Sequence, residues 1–229
     1  TLAFISTISL SSCSDFMDIT PTDQYTEEAV FNDAELAQAF VNQVYSFVQH
    51  GAKEHTTTSL TDDGYFTHDY NSADPHFGTK QDLIDLVSAA HSKGLKVILD
   101  VVPNHTEDYF NGARSTYSSA SYQPAAPFNN PDWYHHYGDI TDWNNEYQVL
   151  NYDLGGLDDL NQDNADARQA IKDAYKNWIT LTGADGIRVD AARSMPKNFL
   201  QEFESYVGVP SFGEIFVGDV DYVSAFSNY

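Results

Sequence analysis

Two stretches decide the fold prediction for this chain, Gly186-Ile-Arg-Val-Asp-Ala-Ala-Arg193 and Ser211-Phe-Gly-Glu-Ile-Phe216. Each contains a short apolar run that is followed by a carboxylate, Asp190 in the first and Glu214 in the second. Neighbouring parallel strands lie about 4.8 Å apart and end at the same edge of their sheet. If the two stretches are such strands, the two carboxylates lie close together at that edge.

A pair of carboxyl groups roughly 5–5.5 Å apart is the arrangement with which retaining glycoside hydrolases cleave a sugar linkage, one as nucleophile and one as acid/base. Arg188 lies two residues before Asp190, on the same strand face. Its positive charge favours the ionised form of that carboxylate. The sequence therefore predicts a catalytic group of Asp190, Glu214 and Arg188.

The sequence around these stretches alternates between helical and strand patterns. Apolar residues at helical spacing predict three helices, and nearly continuous apolar runs predict three strands that are buried on both faces. The predicted helices are 81–93, 167–181 and 196–207, and the predicted strands are 95–102, 184–191 and 210–217. The residues predicted to face inward include Leu181 in the second helix and Phe199, Leu200, Phe203 and Tyr206 in the third.

This alternation is typical of α/β folds with parallel strands. The long stretch 103–163 has little periodicity, and a loop of that length is usually functional or a small excursion domain. In an eight-stranded α/β barrel, chemistry lies at the carboxyl ends of the strands. The residues from Asp100 to His105, together with Asp190 and Glu214, all lie at the carboxyl ends of predicted strands. The fold prediction is an α/β chain forming part of a TIM (β/α)8 barrel, preceded by a short α-helical segment.

The composition limits the function further. The chain has 229 residues, with 34 acidic and 11 basic side chains and a formal net charge of −23. Such a charge argues against nucleic acid or an anionic membrane surface as a partner. It suits solubility, or a secreted protein that binds calcium and neutral sugars, and the 15 Tyr, 14 Phe and 3 Trp residues suit stacking on sugars.

Four ordered motifs carry a specific resemblance. They are Asp100-Val-Val-Pro-Asn-His105, Leu157-Asp-Asp-Leu-Asn161, Gly186-Ile-Arg-Val-Asp190 and Gly213-Glu214. Together they resemble the α-amylase family, glycoside hydrolase family 13, and most closely its cyclodextrin glucanotransferase and maltogenic amylase branch. The resemblance covers about 64–229 and implies barrel strands three to five.

The resemblance also implies roles for individual residues. Asp190 is similar to the family's nucleophile and Glu214 to its acid/base, with Arg188 beside them. The substrate-binding residues implied are His105 as a sugar contact, Tyr65 as a stacking platform, Asp100 as the partner that orients Arg188, and Arg193 on the acceptor side. The calcium ligands implied are Asn104, Asp159 and the main-chain carbonyl of Ser194, and oxygen ligands of this kind suit Ca²⁺.

The N-terminal part has a different character. Residues 1–13 combine an apolar stretch with Leu10-Ser-Ser-Cys13, which is typical of an export signal and resembles a bacterial lipobox with Cys13 as the lipidation site. The alternative is an ordinary buried thiol. Because the basic start of a signal is absent, we expect that the sequence opens within one. A lipobox would place the protein outside the cytoplasm, in the periplasm or as an outer-membrane or cell-surface lipoprotein of a Gram-negative bacterium.

Residues 14–63 predict one amphipathic helix between Asn32 and Gly51, after the extended segment Ile19-Thr-Pro-Thr-Asp23. This part is similar to the N-terminus of SusD/RagB-type outer-membrane lipoproteins, which bind glycans. The two resemblances meet near 62–70, so the chain is expected to join two glycan-utilisation proteins there, by gene fusion or by an artefact of sequence assembly. The barrel is expected to be incomplete, with the third catalytic carboxylate beyond Tyr229 and little activity in the fragment alone.

The function predicted is a retaining glycosidase or transglycosylase that acts on α-1,4-glucans such as starch. Two alternatives remain at this point. One is a non-catalytic, starch-binding SusD-like lipoprotein, and the other is a different retaining glycosidase or sugar isomerase on the same barrel, such as an α-glucosidase or a trehalose-forming enzyme. Whether a sugar or water accepts the glycosyl group remains open.

Overall fold

The computed structural model of the chain describes residues 64–226. The predictions that concern 1–63, namely the signal remnant, the lipobox with Cys13 and the helix after Asn32, lie outside the described residues. Within 64–226, none of the helices is both long and apolar enough to cross a membrane.

The described region contains a sheet of three parallel strands in the order β1-β2-β3. The strands are β1 (Ile98–Val101), β2 (Gly186–Val189) and β3 (Ser211–Gly213). Asp100 pairs with Arg188 in β1 and β2, and Val189 pairs with Gly213 in β2 and β3. This register confirms the predicted α/β fold with neighbouring parallel strands.

β1 is shorter than its apolar run because side chains accept the hydrogen bonds of the amides at its ends. The Val97 amide donates to Asp185 Oδ2 at 2.9 Å, and the Val102 amide donates to the Tyr175 hydroxyl at 2.9 Å. Both valines are buried even though neither pairs in the ladder. Burial therefore extends beyond the strand, which is why hydrophobicity alone overestimated the strand lengths.

The three predicted helices are present as α1, α3 and α4. A capping box between Thr79 and Asp82 begins α1 (Lys80–Ser92). Left-handed glycines end α3 (Ala165–Thr182) and α4 (Lys197–Val207), at positions where a residue without Cβ is favoured. The sequence did not predict α2 (Glu146–Asn151) in the long loop or α5 (Val220–Ser224) after β3, since both are about one turn long.

Two inward positions were predicted wrongly. Leu181 is 39% exposed, because Thr182, four residues after the buried Trp178, takes the inward place at the end of α3. Tyr206 is 40% exposed, and its hydroxyl donates to Asp173 Oδ1 at 2.5 Å on the surface. A ring with a polar tip can satisfy helical spacing without lying in the core.

The buried core lies between the sheet and the helices. The rings of Tyr175 on α3 and Phe203 on α4 meet edge to face at 5.7 Å, and Phe203 also packs against Phe199. Trp178 Nε1 donates to the Tyr70 carbonyl at 2.8 Å, which joins α3 to the segment before α1. This packing fixes the sheet edge at which the motif carboxylates lie.

The long loop 103–163 is held by isolated bridges and side-chain hydrogen bonds instead of strands. Bridges join His105 to Asp159 and Tyr134 to Leu160. Asp158 accepts hydrogen bonds from the amides of Tyr109 and Phe110 at 2.6 and 3.2 Å. The loop is therefore a folded excursion next to the sheet edge.

Gly213 allows the segment after β2 to approach β3. A Cβ added at Gly213 would lie 2.6 Å from the Cβ of Ala192, a distance that forces a shift. We expect Gly213→Ala to lower the free energy of unfolding by about 1–3 kcal/mol, as overpacking does. Urea denaturation measures this, and Gly218→Ala is the control because a Cβ there meets nothing within 4 Å. Equal stability of the two variants would contradict the argument.

Asp185 holds the opposite ends of β1 and β2 together. Its carboxylate contacts Lys96 Nζ at 2.6 Å and His91 Nε2 at 2.8 Å, besides the Val97 amide. Burial opposes ionisation of Asp185, but the hydrogen bonds from Lys96, Val97 and His91 outweigh it and lower its pKa to about 2.

Because the folded-state pKa of Asp185 is depressed, its contribution to stability is present above the ordinary carboxylate pKa of about 3.9 and is lost as the pH falls through about 2. We expect Asp185→Asn to lower the free energy of unfolding by about 1 kcal/mol or more at pH 6, and by much less at pH 2. Denaturation at the two pH values tests this. Asp85→Asn, on the exposed side of α1, is the control and should show no such difference.

Candidate active site

The two motif carboxylates lie immediately beyond the ends of neighbouring strands. The Asp190 amide donates to the Val101 carbonyl at 2.8 Å, and the Glu214 amide donates to the Val189 carbonyl at 2.8 Å. These bonds continue the parallel ladder by one residue on each side. Asp190 and Glu214 are thus carried to the same edge of the sheet at the spacing of adjacent strands.

The guanidinium of Arg188 joins the ends of all three strands. Its Nη1 contacts Asp100 Oδ1 and Asp190 Oδ1, each at 2.8 Å, and its Nη2 contacts Glu214 Oε1 at 3.1 Å. The three carboxylates come from β1 and from the residues that follow β2 and β3. One planar cation with several donors can hold such a set in fixed positions.

A sharp turn follows Asp190. Ala191 has a φ of 48°, in the left-handed region that a residue with a Cβ rarely adopts. Its amide donates to Glu214 Oε2 at 3.3 Å, so the turn aims a backbone donor at the second carboxylate. This contact could not be predicted from the sequence, since alanine is not a residue expected at a positive φ.

Burial and charge act against each other at this site. Burial raises the pKa of Asp190, the positive charge of Arg188 opposes that rise, and the negative charges of Glu214 and Asp100 add to it. Burial likewise raises the pKa of Asp100 against the hydrogen bond and charge of Arg188. As expected, the charge of Arg188 favours the ionised form of Asp190. Burial raises the pKa of Asp190 by more than this charge lowers it.

Tyr65 and His105 lie beside the carboxylates. The Tyr65 hydroxyl donates to Asp100 Oδ2 at 3.0 Å, and its ring lies 5.8 Å from the Arg188 guanidinium. His105 Nε2 donates to the Tyr65 carbonyl at 3.2 Å. Because His105 is only 1% exposed and burial lowers its pKa to about 4, the structure places a neutral imidazole beneath the Tyr65 segment.

Arg193 lies three residues beyond Asp190, at the turn Ala192–Ser194. Its Nη2 donates to the Trp143 carbonyl at 2.7 Å. Trp143 belongs to the long loop and is 47% exposed, so an aromatic ring stands next to this arginine at the surface. Trp143 was not among the predicted site residues, because nothing in an aperiodic loop indicates which distant strand end it approaches.

Of the three predicted calcium ligands, Asn104 and Asp159 lie on neighbouring segments, since the Asn104 carbonyl accepts from the Leu160 amide at 2.9 Å. Asn104 and Asp159 are both fully buried, and Asn104 Oδ1 and Asp159 Oδ1 have no hydrogen-bond partner within 64–226. Ser194 is also buried. Within the same residues no cluster of three or more His, Cys, Asp or Glu side chains has the arrangement of a metal site. The set is instead one amide, one carboxylate and one main-chain carbonyl, which are oxygen donors suited to a hard cation.

The other oxygen of Asp159, Oδ2, contacts His135 Nδ1 at 2.6 Å. Burial raises the pKa of Asp159 well above its usual value, and the charge of Asp153 adds to this rise. A buried oxygen without a partner is costly. A cation between the two free oxygens would satisfy both, so the residues present fit the ion.

The sheet edge brings together two carboxylates from adjacent strands and the Arg188 guanidinium that contacts both. The ring of Tyr65 lies beside them. The side chain of Asp190 is 11% exposed, whereas that of Glu214 is 39% exposed. A less exposed and a more exposed carboxyl group at this spacing can serve as a nucleophile and a proton donor at one bond.

Comparison with known proteins agrees with this geometry. The family described as Alpha amylase, catalytic domain, matches residues 55–212. The chain is 41% identical to a beta/alpha-amylase of Paenibacillus polymyxa over 72% of this chain and 14% of the relative. It is 40% identical to a cyclomaltodextrin glucanotransferase of Klebsiella oxytoca over 62% of this chain and 22% of the relative.

Solved structures show the same likeness. The alpha-amylase of Geobacillus thermoleovorans in complex with acarbose matches with a TM-score of 0.67 and 31% identity, over 86% of this chain and 43% of that chain. An alpha-amylase of Anoxybacillus matches with a TM-score of 0.66 and 29% identity, over 88% of this chain and 42% of that chain. The chain thus spans less than half the length of each of these relatives. Since the family match covers more than half of the chain, the chain belongs to the alpha-amylase catalytic-domain family.

Proposed function

We propose that the protein cleaves α-1,4-linked glucans with retention of configuration, as a glycosidase or a transglycosylase. The observation that carries the proposal is the contact of one Arg188 guanidinium with both Asp190 and Glu214 at the ends of adjacent parallel strands. The names of the relatives, alpha-amylase and cyclomaltodextrin glucanotransferase, support the choice of an α-glucan as substrate.

In this mechanism the Asp190 carboxylate attacks the anomeric carbon while Glu214 donates a proton to the departing glycosidic oxygen. The bond from carbon to that oxygen breaks, and a glycosyl ester with Asp190 forms. Glu214, now ionised, then accepts a proton from water or from a sugar hydroxyl that attacks the same carbon. Two displacements at one carbon retain its configuration.

The neighbouring side chains bind and orient the substrate. Asp100 holds the Arg188 guanidinium, and the Tyr65 ring offers a face on which a sugar can stack. His105 becomes a sugar contact when its Nε2–H leaves the Tyr65 carbonyl for a sugar hydroxyl. Arg193 contacts the sugar on the leaving-group side.

Calcium is the cofactor proposed. Asn104, Asp159 and the carbonyl of Ser194 would hold the ion, and the unpartnered oxygens of Asn104 and Asp159 support this assignment. A bound Ca²⁺ would supply a positive charge that offsets the buried Asp159 carboxylate, and its proposed ligands come from the long loop and from the segment after β2. Its role is structural.

The location proposed is outside the cytoplasm, through a lipid on Cys13, and its support is the lipobox-like sequence Leu10-Ser-Ser-Cys13. A SusD-like N-terminal segment would add glycan binding at the outer membrane, for which the Pro-Thr segment 19–23 is the support. In that alternative the protein binds starch without cleaving it. Measured turnover separates the two functions.

The catalytic pair gives the first test of this function. We expect Asp190→Asn in the full-length protein to lower kcat/KM on maltotetraose by at least about 10³-fold, because the nucleophile is lost. Glu214→Gln should cause a similar loss on maltotetraose and a much smaller one on α-maltosyl fluoride, because fluoride departs without a proton. NMR of the first product should show the α-anomer.

Asp173→Asn, an exposed carboxylate variant on α3, is the control and should keep full activity. Wild-type protein that binds maltotetraose without cleaving it would contradict the enzyme and favour the glycan-binding alternative. A first product in the β-configuration would contradict the retaining mechanism.

Calcium gives the second test. We expect Ca²⁺ at a hundredfold excess over its Kd to stabilise the protein by ~2.7 kcal/mol, which corresponds to a rise in Tm of about 5–10 °C. Asn104→Ala and Asp159→Ala should each abolish the calcium-dependent rise. Differential scanning calorimetry with EGTA and with added Ca²⁺ measures it. Asp163→Asn, a nearby exposed carboxylate, should keep the rise. A rise that survives Asp159→Ala would contradict the site.

A further inference from the structure

Three segments that are distant in sequence meet around the side chain of Arg193. Trp143 lies in the long loop, Glu146 begins α2 within the same loop, and Tyr222 belongs to α5. Arg193 itself follows the Asp190 strand, while Tyr222 follows the Glu214 strand. The segments after the two carboxylates are therefore joined here to each other and to the loop.

The Arg193 guanidinium lies between two aromatic rings. Its Cζ is 6.0 Å from the centre of the Trp143 ring and 5.5 Å from the centre of the Tyr222 ring. Both distances are within the range in which a cation is attracted to an aromatic face. Together with the bond from Nη2 to the Trp143 carbonyl, these contacts leave the guanidinium little freedom.

Tyr222 is in turn held by Glu146. Its hydroxyl donates to the two carboxylate oxygens of Glu146 at 3.1 and 3.4 Å. Burial raises the pKa of Tyr222 and the charge of Glu146 adds to this rise, while contacts with Arg193 oppose it. The hydroxyl therefore stays protonated and can donate. Lys197 Nζ lies 5.8 Å from the centre of the Tyr222 ring and places a second cation beside it.

One atom of Arg193 has no partner in this arrangement. The Nε is buried and lacks a hydrogen-bond acceptor within 64–226. A buried N–H without a partner is costly, so its fixed position needs a compensating reason. Because Nε is closed to solvent, a sugar hydroxyl or ring oxygen would have to bond the Nη atoms of the guanidinium.

We propose that Tyr222 and Glu146 form a clasp that fixes the Arg193 guanidinium for contact with the sugar on the leaving-group side of the cleaved bond. The inference rests on the proposed function and deepens it. Tyr222 and Glu146 act through Arg193 and are positioning residues. Breaking the clasp weakens binding of a leaving-group sugar, while a substrate without such a sugar is scarcely affected.

The test compares two substrates in the full-length protein. Maltotetraose has sugars on both sides of the bond, whereas α-maltosyl fluoride has none on the leaving-group side. We expect Tyr222→Phe, which keeps the ring and removes the hydroxyl, and Glu146→Gln to raise KM for maltotetraose about three- to tenfold. Neither should change kcat/KM for α-maltosyl fluoride by more than about twofold.

The double variant should lose no more than either single variant, because the two residues act as a unit. Tyr206→Phe is the matched control, since Tyr206 also donates to a surface carboxylate, Asp173, away from the site. The clasp would be overturned if the variants lost activity equally on both substrates or lost none on either. An equal loss in Tyr206→Phe would also overturn it.

A second measurement does not depend on turnover. In the ¹⁵N NMR spectrum, the Arg193 Nε–H signal should be sharp and protected from exchange in the wild type, and broadened or averaged in Tyr222→Phe. An unchanged signal in Tyr222→Phe would overturn the clasp. If the wild type cleaves neither substrate, the proposed function fails, while this signal still decides whether Tyr222 fixes Arg193.

Discussion

The contact of Arg188 with three carboxylates is the interaction on which the site depends. Asp100, Asp190 and Glu214 come from the ends of three neighbouring strands, and without a cation they would repel one another at that edge. The arginine is itself partly buried, which disfavours its charge, but the hydrogen bond and charge of Asp100, with the charges of Asp190 and Glu214, outweigh this and raise its pKa. Each carboxylate thereby obtains a fixed position from the same donor.

This interaction explains why the strands must be parallel and in register. A parallel ladder ends at one edge, so one residue from each strand end can reach a common guanidinium. Gly213 permits β3 to lie close enough to the turn after β2, since a side chain there would contact Ala192. A shift of one residue in β3 would turn Glu214 to the opposite face. The spacing and register of the strands therefore determine whether both carboxylates reach the same guanidinium.

Much of this could be predicted from the sequence because it depends on local patterns. Continuous apolar runs indicate buried parallel strands, and the carboxylates follow those runs directly. Asp190 and Glu214 could therefore be placed at the sheet edge without knowing how the other segments fold. The lengths of the strands could not be predicted, because the amides of Val97 and Val102 bond to side chains from elsewhere in the fold. Trp143 and Tyr222 were missed for the same reason, since their positions come from loops whose path is set by tertiary contacts.

The long loop shows how a segment without strands can still be fixed beside an active site. Its backbone amides find acceptors in buried carboxylates, as those of Tyr109 and Phe110 do in Asp158. Burying these carboxylates has an electrostatic cost. Burial raises the pKa of Asp158 to about 8, and the charges of Asp153 and Asp108 add to the rise. When these carboxyl groups ionise, negative charge is concentrated in the interior of the loop. A bound cation is the simplest physical means of offsetting that charge while the carboxylates continue to accept the backbone hydrogen bonds, which links the order of the loop to the proposed calcium site.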